Sequence, residues 1–142
     1  MPDLQALADR VEIAALSGEF TDAGMMRDFD RLAALFTADG VLRIQHIVLA
    51  GRDEIRASIE QLRANWEFFV QNAHPGAVTI DGDTASGRSY IHEFGRFRDG
   101  SSHSNYSLYH DEYRRTPNGW RFSERVYEMR YVDTTALPGS AA

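Results

Sequence analysis

The chain has 142 residues, 43% of them hydrophobic and 25% charged, with a formal net charge of −6, the balance of an ordinary globular chain with one core. It has no cysteine, which excludes disulfides, thiolate catalysis and Cys-based zinc or iron–sulfur sites, and no run of Lys or Arg that would mark a nucleic-acid partner. The opening MPDLQALADR lacks a basic and then apolar leader, and no apolar stretch approaches the roughly 18 residues that a membrane span needs. The expectation is a cytoplasmic protein, with neither membrane nor nucleic acid as partner, folded as a single domain over residues 1–142.

Asp3 is placed to cap a helix from Leu4, with Leu4, Leu7, Val11, Ala14, Ala15, Leu16 and Phe20 as its apolar stripe. Gly24 is the expected break. A second helix then carries Met25, Met26, Phe29, Leu32, Ala33, Leu35 and Phe36, and stops at Thr37-Ala38-Asp39-Gly40 with Gly40 left-handed. Val41–Leu49 reads as one strand. Asp53 or a neighbour caps a third helix, on which Ile55, Ile59, Leu62 and Trp66 share a face. Phe68 and Phe69 close that segment. Strands follow at about 71–80, 84–97, 103–115 and 120–132, separated by Gly82-Asp83, Asp99-Gly100 and Pro117-Asn118-Gly119. The tail ALPGSAA is expected to fray. The class is α+β. Three helices from the N-terminal half pack on a strongly curved, mostly antiparallel sheet, a cone-shaped α+β barrel enclosing a pocket.

The segments LADRVEIAAL, RDFDRLAALFTADG, IDGDTASGR and YRRTPNGWRFSERV, in that order and spacing, resemble the SnoaL-like branch of the nuclear transport factor 2-like superfamily. The resemblance runs from about Leu4 to Tyr131. It includes scytalone dehydratase, dehydrochlorinase and polyketide cyclase relatives, so the fold alone does not settle the chemistry. In the dehydratase and dehydrochlorinase group an Asp on a helix orients a His on the strand after the third helix, and the His removes a proton beside a leaving group. The resemblance puts His74 in the place of that His and Met25 in the place of that Asp. A thioether cannot orient or charge an imidazole, which makes Asp22, one turn earlier, the candidate substitute. The resemblance also implies a homodimer formed through the outer face of the sheet.

His74 is thus the candidate acid/base, since a neutral imidazole suits proton transfer near neutral pH. The plainer reading is a strand-end His satisfied by backbone or water. By the resemblance, His46 takes the place of a pocket residue that holds a substrate oxygen; the alternative is an exposed strand residue. Strand alternation groups Tyr90, His92 and Phe94 on one face, either toward the pocket or outward as a surface pair. Asn105, Ser107 and Tyr109 share a face of the next strand and are candidate substrate contacts, as are Met25 and Trp66. His103 and His110 read as rim or outer-face residues. His46, His74 and His92 come from separate strands with no HxH or HxxxH spacing, so no metal is expected. No Gly-rich phosphate loop or GxSxG elbow occurs, and no cofactor is expected. The leading expectation is an acid/base enzyme of lyase, isomerase or cyclase type acting on a small apolar, aromatic or polyketide-like molecule. The alternative is a non-catalytic small-molecule-binding or scaffold domain of the same fold. A third reading, a small subunit of a larger oxygenase, has no residue that demands it.

Overall fold

The computed structural model describes residues 3–141. Among these residues the chain runs through α1 (Leu4–Met25), α2 (Phe29–Ala34), β1 (Phe36–Ile44), β2 (Ile47–Ala50), α3 (Arg52–Ala64), β3 (Trp66–Asp81), β4 (Thr84–Phe97), β5 (Ser102–Thr116) and β6 (Gly119–Asp133). The six strands form one sheet in the order β2-β1-β6-β5-β4-β3. All neighbours are antiparallel except β1 and β6, which run parallel. The three helices pack on one side of this curved sheet, the α+β cone expected from the order of elements.

The Asp3 carboxylate accepts the Ala6 N–H at 3.1 Å and starts α1. The buried stripe of α1 is Ile13, Leu16, Phe20 and Ala23, spaced for one helix face. Leu4, Leu7 and Val11, expected on that stripe, are exposed. Gly24 does not break the helix. The turn comes at Arg27, whose φ is 56°, and the Asp28 N–H donates to the Ala23 carbonyl at 2.8 Å to close it. Asp28 then caps a short α2 by accepting the Arg31 N–H.

Phe36–Gly40 belongs to β1 rather than to the end of a helix. Between Phe36 and Val41 the strand bulges against β6, which gives the segment its irregular spacing. Gly40 is not left-handed; its value is room. A Cβ there would sit 2.9 Å from the Phe36 Cβ and 3.0 Å from the Thr37 carbonyl. The expected strand Val41–Leu49 is a hairpin folded at Gln45, whose φ is 54°. Gly51 precedes α3, with Asp53 in the first turn instead of at the cap. Trp66 opens β3 rather than closing α3.

The meander β3–β6 turns at Gly82, Gly100 and Gly119, with φ of 61°, 91° and 100°. These are the positions at which the Gly-Asp, Asp-Gly and Asn-Gly pairs place glycine. The tail does not hang free. Arg96 Nη2 donates to the Leu137 and Gly139 carbonyls, and the Leu137 N–H donates to Ser102 Oγ; Ala142 lies outside the described residues.

The core centres on Phe20, Phe36, Tyr109 and Phe122, with Phe20 meeting the other three rings edge-on. Arg125 is buried in it. Its Nε donates to Asp111 Oδ1 at 2.7 Å, and its guanidinium carbon lies 3.8 Å from the Tyr109 ring centre. No described helix is long and apolar enough to cross a membrane.

Candidate active site

The helix layer and the inner face of the sheet leave a cavity of about 320 Å³ between the C-terminal half of α1, α3 and strands β3–β6. Phe20, Leu32, Ile59, Leu62, Trp66 and Phe97 supply apolar wall. Trp66 stacks on Phe97 at 3.9 Å between ring centres and meets His103 edge-on at 5.9 Å.

One polar group stands in this wall, built across four strands. Glu93 on β4 accepts three hydrogen bonds: from Tyr127 Oη at 2.7 Å, from Asn105 Nδ2 at 3.1 Å and from Gln71 Nε2 at 2.8 Å. Gln71 Oε1 in turn accepts from Thr21 Oγ1 on α1 at 2.7 Å. Ser107 Oγ donates to Tyr127 Oη at 2.9 Å. Asn105 Nδ2 also lies 2.7 Å from His103 Nε2. With the amide turned to donate, that imidazole nitrogen is the acceptor. Burial, and next the nearby Glu93 charge, push the Tyr127 phenol above its usual range; burial does the same at Tyr109. Both hydroxyls therefore stay neutral donors at physiological pH.

Of the residues singled out in the sequence, Met25, Trp66, Asn105 and Tyr109 line the cavity. Ser107 is buried behind it, bonded to Tyr127. Tyr90 and His92 do not face it. The β4–β5 register pairs Glu93 with Asn105, Ile91 with Ser107 and Ser89 with Tyr109. Residues paired across an antiparallel ladder point to the same side. Tyr90 and His92 are therefore on the outer face, stacked on His74 and Tyr106 at 5.6 and 4.4 Å between ring centres. His74 is exposed on that same outer face, and its polar contact is the Pro75 carbonyl at 3.5 Å. Asp22 is paired with Arg31 at the surface. His46 is exposed in the β1–β2 turn. The structure does not bring His74 and Asp22 to the cavity.

The β3 residue that meets Met25 is Gln71, whose backbone N–H points at Met25 Sδ at 3.3 Å. Met25 therefore faces Gln71 across the helix–sheet contact, and not His74. His103 lines the cavity rather than the rim or outer face expected for it. Glu93, Gln71 and Tyr127 were not singled out by sequence reasoning. The available signal was the register: once Asn105 is assigned inward, the Asp99-Gly100 turn pairs it with Glu93 and sends Glu93 inward too.

A second charged group borders the cavity. Arg63, on the last turn of α3, lies with its guanidinium carbon 4.2 Å from the Phe69 ring centre. Its Nε and Nη1 are buried and have no hydrogen-bond partner among the described residues. Desolvation by burial, reinforced by the Arg27 charge and opposed by Glu93, brings its pKa down to about 10, so it stays charged at neutral pH.

A three-helix cone closed by this sheet, with a polar cluster set in an apolar cavity, is the architecture of a small-molecule pocket. The chain belongs to the SnoaL-like domain family, whose pattern matches residues 5–126, within the nuclear transport factor 2-like superfamily. An uncharacterized protein of Mycobacterium tuberculosis is 30% identical over 132 residues, spanning 89% of this chain and 88% of that protein. A Novosphingobium aromaticivorans protein, proposed by name to be an aromatic ring hydroxylase, is similar in structure with a TM-score of 0.83 and 27% identity, covering 91% of this chain and 94% of that one. A type 2 hexachlorocyclohexane dehydrochlorinase superposes with a TM-score of 0.91 over 99% of this chain and 98% of its own, and at 21% identity shares the fold.

Proposed function

We propose that this protein is an acid/base enzyme of lyase, isomerase or cyclase type, acting on a small apolar or aromatic molecule, with Glu93 in the role first expected of His74. The observation that carries this reading is a carboxylate set in the cavity wall and held by Gln71, Asn105 and Tyr127. Glu93 takes a proton from a C–H beside a carbonyl. The electron pair left behind moves onto the carbonyl oxygen, forming an enolate, or expels a group from the next carbon. Tyr109, a neutral phenol on the same wall, donates a hydrogen bond to that oxygen as charge builds on it. In an apolar cavity such a bond gains strength.

The alternative is a binding domain without chemistry, and one observation favours it. Both Glu93 oxygens already accept hydrogen bonds, so a substrate C–H has to compete with Gln71, Asn105 and Tyr127 for them. The two readings separate in one experiment. A panel of small aromatic ketones is screened for those that raise Tm, and each hit is incubated in D2O and followed by NMR. Catalysis predicts loss of the α-C–H signal with wild-type protein and none with Glu93→Gln, while the Tm shift persists in the variant. Ligands that raise Tm without any exchange would leave the binding reading standing. The outer sheet face, with Tyr90, Tyr106 and Tyr131 exposed, is the surface for the expected homodimer, which sedimentation velocity tests.

A further inference from the structure

Among the described residues, the cavity holds one cation, Arg63, whose buried nitrogens have no acceptor. The carboxylates near Arg63 are already engaged. Asp30 and Glu60 both bind Arg56, Asp28 caps α2 and lies beside Arg31, and Glu93 is held by its three donors. Arg27 adds like charge instead of relief. The Phe69 ring face under the guanidinium offers attraction but no hydrogen-bond acceptor. A buried donor left unpaired costs stability, more so when it is charged. Such groups persist where a ligand completes them.

Resting on the reading of the cavity as a small-molecule site, we infer that its ligand is an anion, an apolar or aromatic molecule bearing a carboxylate that binds Arg63 Nε and Nη1. The ring system lies among Trp66, Phe69 and Phe97, and the carboxylate accepts from the guanidinium. Arg63 thus orients the molecule, with its charged end at α3 and its remaining atoms toward the sheet wall where Glu93 stands. The cavity volume sits at the lower end of the ~300–1,000 Å³ usual for small-molecule pockets, which fits a molecule of one or two rings.

The test compares 2-naphthoate with 2-naphthamide, two probes of nearly equal shape that differ in charge, by calorimetry on the wild type and on Arg63→Met. In the wild type the acid binds more tightly than the amide by about tenfold or more, the scale of a charge-assisted hydrogen bond in a dry site. In Arg63→Met that preference falls to about one, while the amide keeps its affinity. The variant also keeps or raises Tm, because it removes an unpaired charge, and this guards against loss of binding through misfolding. Equal affinity for acid and amide in the wild type overturns the inference. So does failure of the acid to bind, or a preference that survives in Arg63→Met. Acid binding that needs Arg63, with no C–H exchange on any ligand, upholds the anion site and removes the catalytic role, so the two proposals fail separately.

Discussion

Arg125 and Arg63 are both arginines set against aromatic rings, and they differ in one respect. Arg125 lies among Phe20, Tyr109 and Phe122 and reaches Asp111 with two nitrogens, at 2.7 and 3.2 Å. Ser89 and Tyr113 donate to the same carboxylate. Arg63 lies against Phe69 and reaches no carboxylate among the described residues. The interior thus supplies aromatic faces to both cations and an anion to only one. Where the charge is completed internally, the group builds the fold. Where it is left open beside a cavity, the group is available to something from outside.

Removing the difference gives the largest effect. Asp111→Ala turns Arg125 into a second unpaired cation, buried far more deeply than Arg63, and costs about 3–5 kcal/mol of stability in urea titration. Arg63→Met, by contrast, leaves the urea midpoint where it was or raises it. Equal losses in the two variants would abolish the distinction between a structural and an available arginine.

Arg115 lies between the two. It is partly exposed and forks onto Asp9 through Nη1 and Nη2, both at 2.7 Å. Asp9 also accepts from Trp120 Nε1 at 3.0 Å. The Arg115 hydrogen bonds first, and that of Trp120 next, hold the Asp9 carboxyl well below the usual carboxylate range. A carboxyl with a depressed folded-state pKa adds stability that is fully present above its unfolded value, about 3.9, and is lost as pH falls toward the folded value. Urea midpoints measured from pH 6 downward therefore fall more steeply below about pH 4 for the wild type than for Asp9→Asn.

The smallest effect belongs to Asp22, half exposed and paired with Arg31 at the surface. Asp22→Asn leaves the urea midpoint within measurement error, as exposed pairs contribute little and are screened. The His74 ring resonances, followed by NMR at one fixed pH, keep their positions in the variant. A displaced His74 resonance would show that the two residues communicate.

Much of the fold is legible in the chain because local chemistry and packing agree. Three Asx-containing glycine pairs mark the meander turns, and Gly82, Gly100 and Gly119 all take the positive φ such turns require. Ile55 is fully buried on a face of α3 shared with Ile59 and Leu62. The first helical half is less legible. The residues from Phe36 to Gly40 sit in a bulge against β6, and pairing across more than 80 residues leaves no periodic trace of itself. The polar wall is harder still. On β4 aromatic and titratable residues occupy both faces, with Tyr90, His92 and Phe94 outside and Glu93 and Phe97 inside. Period-two alternation fixes which residues travel together but not which set turns inward. Tyr127 and Gln71 acquire meaning only through Glu93, a partner tens of residues away in sequence.

The parallel pairing of β1 with β6 governs the order in which this protein is completed on the ribosome. β6 lies between β1 and β5, so the β1–β2 hairpin has no strand to join until the chain beyond Gly119 has emerged. Until then the growing chain holds two separate pieces of sheet with unpaired edges, one short and one long, facing a gap that only the last strand fills. Contacts of such long sequence separation slow folding and expose strand edges to other chains. A nascent chain stalled before Gly119 is accordingly the form of this protein most in need of a chaperone.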